Sequence, residues 1–257
     1  MTYCVAVAVK AGLVFCSDSR TNAGIDQIST YSKMHQFGLE GQRQFAVLNA
    51  GNLATTQAVV AKLKKDIRDE TPRSLMTVAS IADAADYIGE LSVAQQAKHA
   101  GRGSTYEASF IVGGQIKDSK PQIALIYPQG NHITSSADTP YLQIGESKYG
   151  KPILDRILNL DTTLETAALC TLVSMDSTMR SNLTVGPPIE TLVYETDSLS
   201  LDRYHRFEED SEYLRELHRA WDAKLIEAFR QLPPLNWAFS WDRDSGNVKN
   251  KNKPHDE

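Results

Sequence analysis

The chain has 257 residues, 41% of them hydrophobic and 23% charged, with a formal net charge of -5. That is enough length for one large domain with a well-buried core, and the mildly acidic balance lacks the basic footprint of a nucleic-acid binder. No apolar run reaches a membrane span and no leader-like basic and apolar pair opens the chain, so a cytoplasmic protein with no membrane partner is expected.

Tyr3, Val5, Val7 and Val9 alternate with Cys4, Ala6 and Ala8. Period two predicts a strand with bulky side chains on one face and small ones on the other. Gly12 marks a tight turn into a second strand, LVFCSDS, giving a hairpin. The stretch STYSKMHQF reads as a further strand carrying the lone cation Lys33. More strands are predicted at 44–50, 107–114, 121–128, 141–145 and 191–197. Helical spacing appears over 53–68, where Val59, Val60, Leu63 and Ile67 recur, and over 75–98 through Val78, Ile81, Ala85, Ile88 and Leu91. Helices are also predicted near 150–160 and over 163–180, the latter capped by Thr162 or Thr163 with Glu165 in its first turn.

Segregated runs of strands and helices predict an α+β fold, a four-layer αββα sandwich of two antiparallel sheets flanked by helix pairs. A C-terminal helical extension follows, with Leu214, Leu217, Trp221, Leu225 and Phe229 at spacings of three and four. Pro233 and Pro234 stop it, ahead of Trp237, Phe239 and Trp241 and a polar end. The expected division is a core over 1–204 and an assembly extension over 205–257. Gly-rich HAGRGST (99–105) lacks a phosphate-loop GK[ST] and reads as a connector.

Cys4, Cys16 and Cys170 form no CxxC pair and read as buried thiols. The six histidines make no metal-ligand pair, so no metal and no cofactor is expected. Thr2 raises the sharper question. Removing Met1 would leave a hydroxyl and a free α-amine on one residue, and an amine of pKa near 7.7–8.0 can take the hydroxyl proton directly or through water. A small residue at position 2 is common, so Thr2 alone decides little. Hairpin geometry returns Asp18 and Ser19 of FCSDSRTNAG to the chain start. A cation at Lys33, held by Asp18, would disfavour protonation of the amine and favour the alkoxide; a surface ion pair is the plainer reading.

The stretches TYCVAVAV, GLVFCSDSRTNAG, SKM, AVLNAGNLATTQ and IGESKYG resemble the proteasome β-type subunits, a family of N-terminal-nucleophile hydrolases. Within that family they most resemble the bacterial Anbu (ancestral β-subunit) group, over roughly 2–200. The resemblance implies Thr2 as nucleophile, Asp18 and Lys33 as its supporting pair, and Gly51 as the oxyanion-hole N–H. Lys33 arrives one residue early against the family spacing. Ser19 and Arg20 belong to the supporting set, and Thr21, Asn49 and Leu53 to the specificity pocket. Two departures stand out. The family's helper serine follows a glycine, whereas Gly145 is followed here by Glu146, with Ser147 one place later; either Ser147 shifts into the role or Glu146 alters the amine. Where the family has an Asp before a Ser, this chain offers Ser181 and Asn182.

The resemblance implies a threonine-type peptidase or amidase, assembled as a homo-oligomeric ring or spiral and acting on peptide or amide substrates. A small-amide amidase and a catalytically silent structural subunit are the rivals. Silent relatives keep an N-terminal extension over the site, and nothing precedes Thr2 here but Met1. No docking feature for an ATP-driven unfoldase is legible.

Overall fold

A computed structural model describes residues 1–22, 28–98 and 106–233. The chain starts with two antiparallel strands, β1 (Tyr3–Val9) and β2 (Gly12–Asp18), paired so that Cys4 faces Ser17. The turn is made by Lys10 and Ala11, and Gly12 already belongs to β2. Its role is close approach: a Cβ there would lie 2.0 Å from the Tyr194 carbonyl oxygen, at φ +149°.

A short hairpin follows, β3 (Arg20–Asn22) and β4 (Ile28–Thr30), then β5 (Met34–Leu39) and β6 (Arg43–Gly51). Lys33 lies in the link before β5 and not inside a strand. Helix α1 (Leu53–Arg68) is capped by Asn52, whose side chain accepts from the Thr55 N–H. Helix α2 (Ile81–Ala97) begins later than periodicity predicts, because Ser80 caps it through the Asp83 N–H at 3.1 Å. Leu75 and Val78 precede that cap in turns, yet both are buried, which is why they mimic a helical stripe.

Next come β7 (Ala108–Ile116), β8 (Gln122–Ile126), β9 (His132–Thr134) and β10 (Tyr141–Gly145). Helices α3 (Lys151–Ile157) and α4 (Leu164–Ser181) lead to β11 (Ile189–Glu195) and β12 (Tyr204–Phe207). Strand β12 takes residues near the predicted start of the last helix, so α5 spans Glu212–Arg230.

The strands form two five-stranded antiparallel sheets, ordered β10-β1-β2-β11-β12 and β5-β6-β7-β8-β9. Three apolar clusters define the four layers. Cys4, Ala6, Leu13 and Phe15 meet Leu48, Ile111 and Ile123 between the sheets. Tyr3, Val5 and Val7 pack under α3 and α4 with Leu154 and Met175, while Phe45, Phe110 and Val112 pack under α1 and α2 with Leu63 and Ile88. The period-2 reading of β1 thus has a physical outcome: its small face admits the second sheet and its bulky face supports a helix layer. All three cysteines are free and buried.

The first compact unit runs from Met1 to His218, and so takes in β12 and the first turns of α5. Leu214 and Leu217 pack on the helix-side cluster, and His218 Nδ1 lies 2.9 Å from the Asp176 carboxylate. The second unit starts at Arg219. There Leu225, Ile226, Phe229 and Leu232 are exposed. Trp237, Phe239, Trp241 and the connector over 99–105 lie outside the described residues.

Candidate active site

The site is built where the free ends of β1, β2, β6 and β10 converge. Register pairs Tyr3 with Gly145, so Thr2 sits beside the corner that ends β10. The Glu146 N–H donates to the Thr2 carbonyl at 2.7 Å. Gly145 has φ +82°, and a Cβ there would stand 2.0 Å from that same carbonyl oxygen, so only glycine lets the corner close on the chain start.

On the opposite side β2 delivers Asp18, whose side chain is fully buried. Asp18 Oδ1 accepts from the Tyr3 N–H at 3.0 Å and from Lys33 Nζ at 2.8 Å, while Oδ2 accepts from the Gly186 N–H at 3.3 Å. Burial pushes this carboxyl above its ordinary value; the Lys33 ammonium and the two backbone donors pull it back. With three donors converging on it, Asp18 is best read as the carboxylate partner of an ion pair. Lys33 is itself almost wholly buried and gives a second hydrogen bond to the Arg20 carbonyl at 2.6 Å. An ammonium has three donors, so one remains for the cleft that Lys33 lines.

That cleft has a volume of about 820 Å³. Thr2, Lys33, Gly51, Thr21, Asn49 and Leu53 all line it, and so do Tyr31, Ser32, His35 and Lys64. Gly51 ends β6 at φ +112°, and a Cβ there would meet the Glu107 carbonyl oxygen at 2.4 Å. The Asn49 N–H donates to the Lys33 carbonyl at 3.0 Å, tying the lysine's link to β6.

Other sequence candidates stand behind the cleft or away from it. Ser19 Oγ donates to Glu190 at 2.9 Å. Arg20 contributes its carbonyl to Lys33, but its guanidinium turns to the Leu183 carbonyl at 3.0 Å and to Glu209 at 3.7 Å. Ser147 bonds through its backbone, to Gly145 and Gln143, and does not line the cleft. Glu146 is the acidic group brought close: its buried carboxylate accepts from Asn182 Nδ2 at 3.0 Å and pairs with Lys148 at 3.6 Å. Asn182 caps the end of α4 and also accepts from the Thr184 N–H, while Ser181 is exposed. Glu146 and Asn182 therefore meet each other, a pairing that the two departures taken singly did not suggest.

The chain's free amine belongs here to Met1, one residue ahead of Thr2. Partial burial lowers its pKa from 8.0, Lys33 lowers it further, and Asp18 and Glu146 oppose them. An amine at this position is therefore biased towards the neutral base. His35 is pushed down to about 4 by burial and by Lys64, so its imidazole is neutral near pH 7; it lies 2.9 Å from Asn49 Nδ2.

Sequence reasoning missed Glu190. It is buried in β11 and accepts from Ser19 Oγ, from Ser32 Oγ at 3.0 Å and from Tyr204 Oη at 2.6 Å. A glutamate one place into the strand IETLVYE, ahead of the apolar pair Leu192 and Val193, is the signal that would have found it. No group of three or more metal-ligating side chains occurs among the described residues, and no described helix is long and apolar enough to cross a membrane.

The family model described as proteasome subunit matches residues 2–193. Among solved structures, Anbu (ancestral beta-subunit) from Yersinia bercovieri is 47% identical at TM-score 0.87, covering 92% of this chain and 100% of that one. The helical assembly of the Anbu complex from Pseudomonas aeruginosa is 48% identical at TM-score 0.88, over 93% of this chain and 100% of that one. Anbu from Hyphomicrobium sp. strain MC1 is 43% identical at TM-score 0.84, covering 91% and 100%. Comparison with curated proteins gives no match.

Proposed function

Because the chain belongs to the proteasome subunit family, and within it to the Anbu group, we propose that it is a self-assembling amide hydrolase whose nucleophile is Thr2, exposed by removal of Met1. The freed α-amine takes the Thr2 Oγ proton, directly or through one water, as Oγ attacks the substrate carbonyl carbon. The Gly51 N–H holds the resulting oxyanion, a contribution of about 3 kcal/mol for one such donor. Collapse returns the proton to the departing amine and leaves an acyl ester on Thr2. Water, deprotonated by the same α-amine, then hydrolyses that ester and restores Oγ–H. Lys33 keeps the amine unprotonated and offsets charge on Oγ, and Asp18 fixes Lys33.

The observation that carries this reading is the Lys33 ammonium, 2.8 Å from buried Asp18 and lining the same cleft as Thr2 and Gly51. A peptidase is the leading form, with peptides and amides as substrates. The helical assembly of the Pseudomonas aeruginosa relative supports a homo-oligomer.

Two measurements test it. Intact mass should show the purified protein without Met1. A threonine-directed electrophile should add once per chain to the native protein and not to Thr2→Ala, whose assembly size is unchanged. Retention of Met1, or equal labelling of the variant, removes Thr2 from the mechanism. Loss of labelling in the native protein would favour a silent structural subunit.

A further inference from the structure

The charge lining the cleft is one-sided. Among the described residues that line it none is a carboxylate, yet Lys33 and Lys64 both reach it. Leu53, also on the wall, opens α1, whose first turn holds no acidic residue to offset the positive end of the helix. This occurs in a chain whose formal net charge is -5.

The two lysines are not equivalent. Lys33 is neutralised by Asp18 at 2.8 Å. On α1, Lys62 and Lys65 are likewise paired one turn on, with Asp66 and Asp69. Lys64 sits between them in sequence, but the residues three and four places away are Val60, Ala61, Ile67 and Arg68. It makes no ion pair among the described residues. The sequence that pairs its neighbours leaves Lys64 uncompensated on the wall of the cleft.

The other polar groups on that wall do not take up the role of counterion. His35 is close enough to Lys64 for the ammonium to bear on its protonation, and it is neutral near pH 7. Glu190, whose charge also bears on His35, is occupied by three hydroxyls. Asn49, Thr21, Ser32 and Thr56 supply neutral polar surface. A lysine is a mobile point charge, so it would select by sign of charge and not by the planar fit that an arginine imposes.

We propose that the cleft selects substrates with an acidic side chain on the residue that donates the acyl group, with Lys64 as the specificity-determining cation. Which residue donates the acyl group rests on the Thr2 reading; the attraction of the cleft for a carboxylate does not. Lys64 is solvent-exposed, so the preference is modest, about five-fold at low salt, and is screened as salt rises.

The test uses binding, which needs no reaction. Acetylated tripeptide amides ending in Glu, Gln or Lys are titrated by calorimetry into the full-length Thr2→Ala assembly. The Glu peptide should bind about five-fold more tightly than the Gln peptide, with the Lys peptide weakest. The Glu advantage should vanish in a Thr2→Ala, Lys64→Gln protein, reverse in Thr2→Ala, Lys64→Glu, and fade at high salt. Equal binding of Glu and Gln peptides, or an advantage unchanged by Lys64→Gln, overturns the proposal. Both Lys64 changes are at an exposed helical position, and thermal melting confirms that they fold. Electrophile labelling of the native protein reads Thr2 separately: if labelling fails while the Glu ranking holds, the nucleophile falls and the acidic preference stands.

Discussion

Three hydroxyls converge on Glu190, from Ser19, Ser32 and Tyr204, at 2.9, 3.0 and 2.6 Å. Each lies on a different segment: the junction of β2 and β3, the link carrying Lys33, and β12. Glu190 does not line the cleft, so its effect on chemistry runs through Lys33, whose preceding residue it holds. In Glu190→Gln one acceptor oxygen becomes an NH₂ that meets a hydroxyl donor. The expected cost is about 1–3 kcal/mol of stability, read by denaturant midpoint. Labelling of Thr2 should slow while Glu-peptide binding to the cleft stays unchanged. A variant that labels at the native rate would leave Glu190 with a purely structural role. At this scale much could be read in advance. Asp18, Lys33 and Gly51 were reachable because a hairpin return and a family pattern locate them. Glu190 was not, because its meaning lies in three partners far apart in sequence, and Lys64 was not, because its meaning is a counterion that is missing.

Elements were legible wherever burial followed a simple period. Strand β1 has bulky residues towards α4 and small ones towards the second sheet, and both faces show in TYCVAVAV. Boundaries failed where a cap or a tertiary contact outweighed periodicity. Buried Leu75 and Val78 extended the apparent start of α2 until Ser80 set the true one. The junction of β6 and α1 shows the opposite case, where one residue governs an element's end. Gly51 turns at φ +112° within reach of the Glu107 carbonyl, and the next residue caps α1. Gly51→Ala would force that carbonyl away by more than a side chain can absorb. The change should cost about 1–3 kcal/mol in denaturant unfolding and, on the proposed mechanism, should abolish labelling of Thr2, since the N–H proposed to hold the oxyanion moves with the corner. Native labelling in a folded Gly51→Ala protein would place the oxyanion donor elsewhere.

For the whole molecule the open question is what the chain does with the apolar side chains it leaves in water. In the unit that starts at Arg219, Leu225, Ile226, Phe229 and Leu232 are 48, 54, 73 and 59% exposed. Leu225, Ile226 and Phe229, spaced by one and three, share a face of α5, and Leu232 follows just past its end. Single exposed apolar residues are ordinary, but a row of three on one helical face with a fourth beside its end costs solubility unless something covers it. The four-layer core was readable from one chain because one chain buries it; this stripe could be read only as amphipathic, since its cover need not lie in the same chain. A second copy is the natural candidate, given the helical assembly of a relative 48% identical to this chain. The double variant Leu225→Asp, Phe229→Asp sets two carboxylates on the stripe without touching the core clusters. Light scattering after gel filtration should then give a smaller particle, with circular dichroism showing the core fold retained. If the particle keeps its native mass, subunits join through another surface and the extension serves a different purpose. If it shrinks but Thr2 still reacts with the electrophile, assembly does not build the site, and each chain carries its own complete set of reacting groups.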